Sequence, residues 1–438
     1  MKNYNVFKII LYLLFFFSSI IISEQSIQNE FIFKCGADNE EDPTLVNDPK
    51  PIDEDSPEYR NVYENLDENS FKELKICLDL ENFNNEVDQY HIDNDVKQLY
   101  IDGLEKAKST FEALLKVKPV KNHCFTDDQI NDKSITKWDA NIIGNNVCEQ
   151  NKGMLFFGID LFVFVRFEDN TQMGENTLAS ASVKYADSAT KQPLFGVILI
   201  NKDIDYSKSD FKEYFAGIMI HEFTHILGFS NFYFSNDFIL RKTDIFGIER
   251  EYIKSPKVLS VAKNYFNCDS LDGVQLEKSE GSGTISPHWS ARILLGEYMN
   301  KYIYTAEQVI SEFTLAFLED TGFYKATYYT GGLMQFGKHK GCEFLNSKCI
   351  NDNNDDVKFT NEFFKKIYST GLNYDTSCSS GRQSRTYHAI YNYNEEIPEI
   401  YRYFTDKPNW GGWKSADYCP VSIELHNQED SNKYYVGH

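Results

Sequence analysis

The chain has 438 residues, 42% of them hydrophobic and 15% aromatic, so it can bury a large core in two or three structural units and is not a disordered polymer. Its 44 Lys and Arg against 66 Asp and Glu leave a net charge of -22, which argues against nucleic acid and anionic membrane surfaces as partners.

Lys2 and Lys8 precede an apolar run over residues 9–22, the length of a signal-peptide core and too short for a comfortable membrane span. The expected reading is a secretory signal over residues 1–23, the alternative being an uncleaved anchor, the one route to membrane association. An acidic, Pro-containing stretch follows over residues 38–68, and it reads as part of a flexible pro-segment spanning 24–69. Cys35 lies at its start. Nine cysteines suit a secreted protein with disulfides, and setting Cys35 apart leaves eight. On chemistry alone two readings of Cys35 stand: an inhibitory thiolate that occupies an open metal position, or an ordinary disulfide or unpaired thiol.

From residue 70 the pattern becomes that of a folded lobe. Residues 73–80 alternate like a strand, and residues 95–117 carry apolar side chains at helical spacing up to the break before Pro119. Cys124 and Cys148 bracket a polar loop that suits a local disulfide. Residues 161–167 and 195–200 are short apolar runs of the kind that form buried strands. Between them, Ser180, Ala181 and Ser182 lie in a stretch of small residues. This is either a plain edge strand or one on which an extended peptide adds by main-chain hydrogen bonds.

Residues 210–220 form the approach to the most informative stretch, with Asp210 as the expected N-cap and apolar residues at 211, 214, 215, 218 and 219. The stretch itself reads His221-Glu222-Phe223-Thr224-His225-Ile226-Leu227-Gly228-Phe229-Ser230. Two histidines four apart on a helix project from one face toward a single metal ion, with Glu222 beside them as general base. Gly228 supplies a stop. Catalytic zinc takes three protein ligands, so a third must come from elsewhere. The short-spaced version of the motif would place it at position 231, and this chain has Asn231. His288, after a Gly/Ser loop, is the best remaining histidine, while a Glu on a later helix is the alternative. His123, His339 and His426 sit in polar, loop-like surroundings. From about residue 330 onward, Tyr, Asn, Asp, Gly and four cysteines suggest a loop-rich, disulfide-stapled region, and the C-terminus lacks the apolar tail of a GPI signal.

The stretch 221–230, followed after a long insertion by His288-Trp289 and a Met eleven residues later, resembles the leishmanolysin family of zinc endopeptidases. Residues 313–324, 341–349 and 416–420 resemble stretches of the same family, and the resemblance covers about residues 73–421. It implies an α+β fold with a metzincin-like catalytic lobe: a twisted sheet, an active-site helix and a segment inserted before the third histidine. It also implies one catalytic zinc ion held by His221, His225 and His288, with Glu222 as the catalytic residue and Met299 in the turn beneath the metal. Cys35 falls where the family carries its pro-segment cysteine, although the His that usually follows it there is missing. The expected organisation is a lobe over 70–230, an insert over 231–285, a third-His and Met-turn segment over 286–330, and a Cys-containing region over 331–438. The expected function is a secreted or cell-surface zinc endopeptidase acting on proteins or peptides. The alternative is a non-catalytic adhesion or binding protein that keeps the peptidase fold.

Overall fold

The computed structural model describes residues 34–35, 42–46, 70–119, 124–125, 147–148, 153–155, 159–174, 177–206, 209–278, 285–302, 309–328, 334–350, 359, 361–364, 373–378, 385–388, 390–404 and 406–423. The signal run, most of the acidic stretch, His123 and His426 lie outside these residues. So do the side chains of Cys35, Cys124 and Cys148, although all three fall on short strands.

The architecture is mixed α and β. The first lobe is built on a sheet in which Thr177–Asp187, Pro193–Asn201, Leu161–Glu168 and Ile76–Asp79 lie side by side in that order. Thr177–Asp187 runs antiparallel to Pro193–Asn201, and the other two pairings are parallel. Leu161–Glu168 is central and apolar almost throughout because both its faces are covered, as the runs of parallel strands require. Its side chains divide by twos. Val163, Val165 and Phe167 enter the main core, while Phe162 and Phe164 join Phe195 and Val197 in a second cluster on the opposite face.

Two helices belong to the main core. The long helix Asn94–Leu114 is capped by Asp93, whose carboxylate accepts from Asp95 N–H at 2.8 Å. It packs on the helix Ser209–Ile226 through Tyr100 against Phe215 and Phe111 against Phe223, with ring centroids 5.1 and 6.5 Å apart. Close approach is possible because Gly103 faces that helix, where a Cβ would lie 2.6 Å from the Phe215 ring.

The long helix ends three residues earlier than its periodicity predicts, and Leu115–Val117 is instead a strand paired with Lys72–Glu73 and Tyr324–Ala326. Leu115 and Val117 fit both patterns, but they are buried while Lys116 is exposed, and the strand satisfies two neighbours at once. The expected strand over 73–80 is likewise split into Lys72–Glu73 and Ile76–Asp79. The helix carrying His221 and His225 starts at Ser209, so Asp210 lies in its first turn and not at its cap.

Past residue 230, Ile239–Thr243, Glu249–Ile253 and Val274–Gln275 form a small antiparallel sheet beside the helix Pro256–Phe266. This inserted unit is tied to the C-terminal region twice. Cys268 forms a disulfide with Cys342, and Arg250 ion-pairs with Asp244 at 3.0 Å and Asp417 at 2.5 Å. Arg292, between insert and C-terminal region, donates to Gln275 Oε1 at 3.2 Å and to the Leu345 carbonyl at 3.0 Å. A second disulfide joins Cys349 and Cys419. Cys378 is exposed and unpaired. The C-terminal region is therefore stapled outward to the insert as well as to itself.

The helix Ser209–Ile226 meets the sheet at Gly196, where a Cβ would lie 2.2 Å from Ile226 Cγ2. Gly196→Ala is expected to push the helix end off the sheet and cost about 1–3 kcal/mol of stability. A lower urea midpoint checks this, and an unchanged midpoint contradicts it.

Candidate metal centre

The helix Ser209–Ile226 sets two of the candidate ligands. His221 and His225 lie one turn apart on it, and the helix ends at Ile226. Gly228 adopts φ 120°, a left-handed conformation that favours glycine, and turns the chain back along the helix end. That reversal brings the Phe229 carbonyl within 2.8 Å of His225 Nδ1.

The segment that follows Val274–Gln275 delivers the third. After Val274–Gln275, Glu277 N–H donates to the His288 carbonyl at 2.8 Å and Ser290 N–H to the Gln275 carbonyl at 3.2 Å. Trp289 N–H in turn donates to the Met299 carbonyl at 3.0 Å, so His288 rides on a segment held from both sides. The residue before Met299 closes the site, because the Tyr298 carbonyl accepts from His221 Nδ1 at 2.6 Å.

The three imidazoles converge. His225 Nε2 lies 3.0 Å from His221 Nε2, which lies 3.3 Å from His288 Nε2. His221 is 6% exposed, Glu222 1%, and His225 and His288 not at all. His221 and His225 each donate Nδ1–H to a main-chain carbonyl, and His288 Nδ1 lies 3.2 Å from Ser286 Oγ. The Nε2 atoms of His221 and His225 are therefore unprotonated and present lone pairs to one another, an arrangement that is repulsive unless a cation sits between them. Protonation does not relieve it at neutral pH, since burial, reinforced by the charge of His288, pushes His221 down to about 3.

A single tetrahedral zinc ion fits this donor set: three neutral nitrogens, each at about 2.0–2.1 Å from one ion, stand about 3.3 Å apart. These three side chains are the only His, Cys, Asp and Glu group among the described residues whose ligand atoms cluster in this way, all within 4.8 Å. His339 is remote in role: its N–H donates to the Tyr265 carbonyl beside the insert helix.

Glu222 follows His221 on the helix, near enough to Tyr206 that its charge adds to the burial raising the phenol pKa. Tyr206 donates its hydroxyl to the Leu178 carbonyl at 2.6 Å, on the strand that carries Ser180, Ala181 and Ser182. That strand has its inner edge paired, Ser180 with Leu199, Ala181 with Ile198 and Ser182 with Val197. Its outer edge is met in parallel by Lys34–Cys35 at Thr177 and Ala179 and by Thr44–Val46 at residues 185–187. Between these contacts, residues 180–184 have no strand partner on the outer side among the described residues. Sequence reasoning missed the carbonyls of Phe229 and Tyr298, which no side-chain pattern reveals, and also Ser286, whose position two residues before His288 was a usable signal.

An HExxH helix closed by a distant third histidine is the arrangement of a zinc-peptidase centre. The chain belongs to the leishmanolysin family, whose model matches residues 115–433. It is 32% identical over 235 residues to a leishmanolysin homolog of Crithidia fasciculata, covering 53% of this chain and 34% of that protein. It is 33% identical over 189 residues to a leishmanolysin-like peptidase of Drosophila pseudoobscura pseudoobscura, covering 40% and 27%. Against leishmanolysin of Leishmania chagasi the identity is 27% over 291 residues, covering 65% and 46%. The matched part thus spans between about a quarter and a half of these relatives.

A pH dependence follows from His221. An unfolded His takes up a proton below its ordinary 6.5, whereas the folded one refuses it down to about 3. The unfolded state therefore binds more protons in that window, and the stability of the metal-free protein falls as pH drops from 6.5 toward 3. Urea midpoints measured in chelator across this range are expected to fall steadily, and to fall less steeply in His221→Asn.

Proposed function

We propose that this protein is a zinc endopeptidase that hydrolyses peptide bonds in protein or peptide substrates, with His221, His225 and His288 as metal ligands and Glu222 as general base. The observation that carries this reading is the convergence of three buried imidazole Nε2 atoms, with a buried carboxylate on the residue next to one of them. Bound zinc supplies Lewis acidity, making water nucleophilic near neutral pH and polarising the scissile carbonyl. Glu222 takes the proton from the attacking water and returns it to the leaving amine. The main-chain carbonyls of Phe229 and Tyr298 hold two imidazoles in the tautomer that leaves Nε2 free, and burial excludes bulk water from the ligand set. Met299 is assigned to the turn beneath the metal, one residue past the carbonyl that orients His221.

An extended substrate is proposed to add along residues 180–184, where Ser180, Ala181 and Ser182 present an edge. Cys35 is proposed as the latency ligand of the pro-segment, a reading supported by the strands at 34–35 and 44–46 that lie on either side of that same edge. In this account residues 1–23 are a secretory signal, 24–69 the pro-segment, 70–230 the catalytic lobe, 231–285 the insert, 286–330 the third-His and Met-turn segment, and 331–438 the C-terminal region. The protein acts outside the cell or at its surface. No helix among the described residues is long and apolar enough to cross a membrane. A complete set of ligands and base speaks against a purely adhesive protein that merely keeps the fold.

Glu222→Gln is expected to retain one equivalent of zinc while cleaving a casein-type substrate at least about 100-fold more slowly. Metal analysis and a protease assay on the same preparation check both halves, and wild-type turnover in this variant contradicts the role given to Glu222.

A further inference from the structure

One carboxylate outside the ligand set ties together both segments that close the site. Glu297 is 2% exposed and accepts three hydrogen bonds from neutral donors: Met299 N–H at 2.5 Å, the Ser311 hydroxyl at 2.7 Å and the Thr314 hydroxyl at 2.7 Å. Each donor leads somewhere useful. Met299 N–H is the amide of the peptide unit whose carbonyl belongs to Tyr298, the acceptor of His221 Nδ1. Thr314 Oγ1 also accepts from Trp289 Nε1 at 2.8 Å, and Trp289 is the neighbour of His288. Ser311 and Thr314 lie at the start of the helix Glu312–Asp320, so the carboxylate is anchored to a rigid element.

The turn is braced a second time by Asn300. Its side chain accepts from Gly296 N–H and donates to the Trp289 carbonyl, both at 3.0 Å, and Gly296 has φ 82°. With Asn300 fixing the two ends of the turn, Glu297 fixes the peptide unit in its middle, the one that faces His221. Burial pushes the Glu297 carboxyl up to about 7 even though the donors around it favour the charged form.

We infer that Glu297 is a positioning residue for the metal centre: its carboxylate sets the orientation of the Tyr298–Met299 peptide, and through the Tyr298 carbonyl the tautomer and ring angle of His221, while Thr314 relays the same anchor to Trp289 beside His288. The inference rests on the zinc-site reading and extends it beyond the three ligands. Groups that orient metal ligands in this way typically account for about 10- to 100-fold in metal affinity.

The test uses the full chain with zinc and, separately, cobalt. Zinc affinity is measured by competition with a chromophoric chelator, and the ligand field by the visible absorption of the cobalt form. Glu297→Ala is expected to bind zinc about 10- to 100-fold more weakly and to shift the cobalt bands. Glu297→Gln, which keeps one acceptor oxygen, is expected to fall between it and wild type. A merely structural role would lower the melting temperature of the metal-free protein and leave the cobalt bands in place. Wild-type zinc affinity with a wild-type cobalt spectrum in either variant overturns the inference. Ser311→Ala, which removes a single donor at a small side chain, decides the case if neither Glu297 variant folds, with weaker zinc binding expected and wild-type binding overturning. Wild-type protein that takes up no zinc contradicts the metal-site reading instead.

Discussion

Three imidazole nitrogens held face to face, with the other nitrogens of His221 and His225 committed to main-chain carbonyls, form the constraint on which the rest of this structure depends. The lone pairs of His221 and His225 at 3.0 Å repel, and the burial that pushes His221 down to about 3 removes the option of placing a proton on it at neutral pH. The surrounding fold holds this arrangement from several directions. One helix supplies two rings, the last strand of the insert seats the third, and the turn before Met299 orients the first. A site built in this way loses its geometry if any one of these elements moves.

That dependence explains the connections beyond the first lobe. The insert is joined to the C-terminal region by Cys268–Cys342 and by Arg250 with Asp244 and Asp417, and Arg292 adds contacts from the third-His segment. Buried ion pairs contribute little net stability against well-packed apolar residues, but breaking one leaves an uncompensated charge and is costly. Their effect here is to fix the register between the insert and the segment that carries His288. Tyr324–Ala326 then pairs with Leu115–Val117, returning the chain after the site to the first lobe. The C-terminal region thereby bears on metal geometry although it provides none of the three histidines.

Much of the candidate histidine cluster was legible in the sequence, because side-chain type and spacing are what a metal selects. His221, Glu222 and His225 declare themselves by helical spacing, and Asn231 excludes the short version of the motif. His288 was legible only through its neighbours Trp289 and Met299 and the family resemblance they complete. The orienting acceptors were not. Every residue has a carbonyl, so nothing in the letters at 229 or 298 marks the ones that hold a histidine. Glu297 was equally silent, since a Glu between Gly and Tyr reads as a surface turn until its three donors are brought around it. The helix overrun at Leu115–Val117 has a similar cause. Two apolar residues around a lysine fit either period, and only the distant partners at 72–73 and 324–326 decide between them.

Zinc K-edge absorption on the purified protein tests the central claim most directly. The account predicts one zinc per chain in a shell with three imidazole nitrogens at about 2.0–2.1 Å. Absence of bound zinc, or a shell containing fewer than three imidazoles, would contradict it.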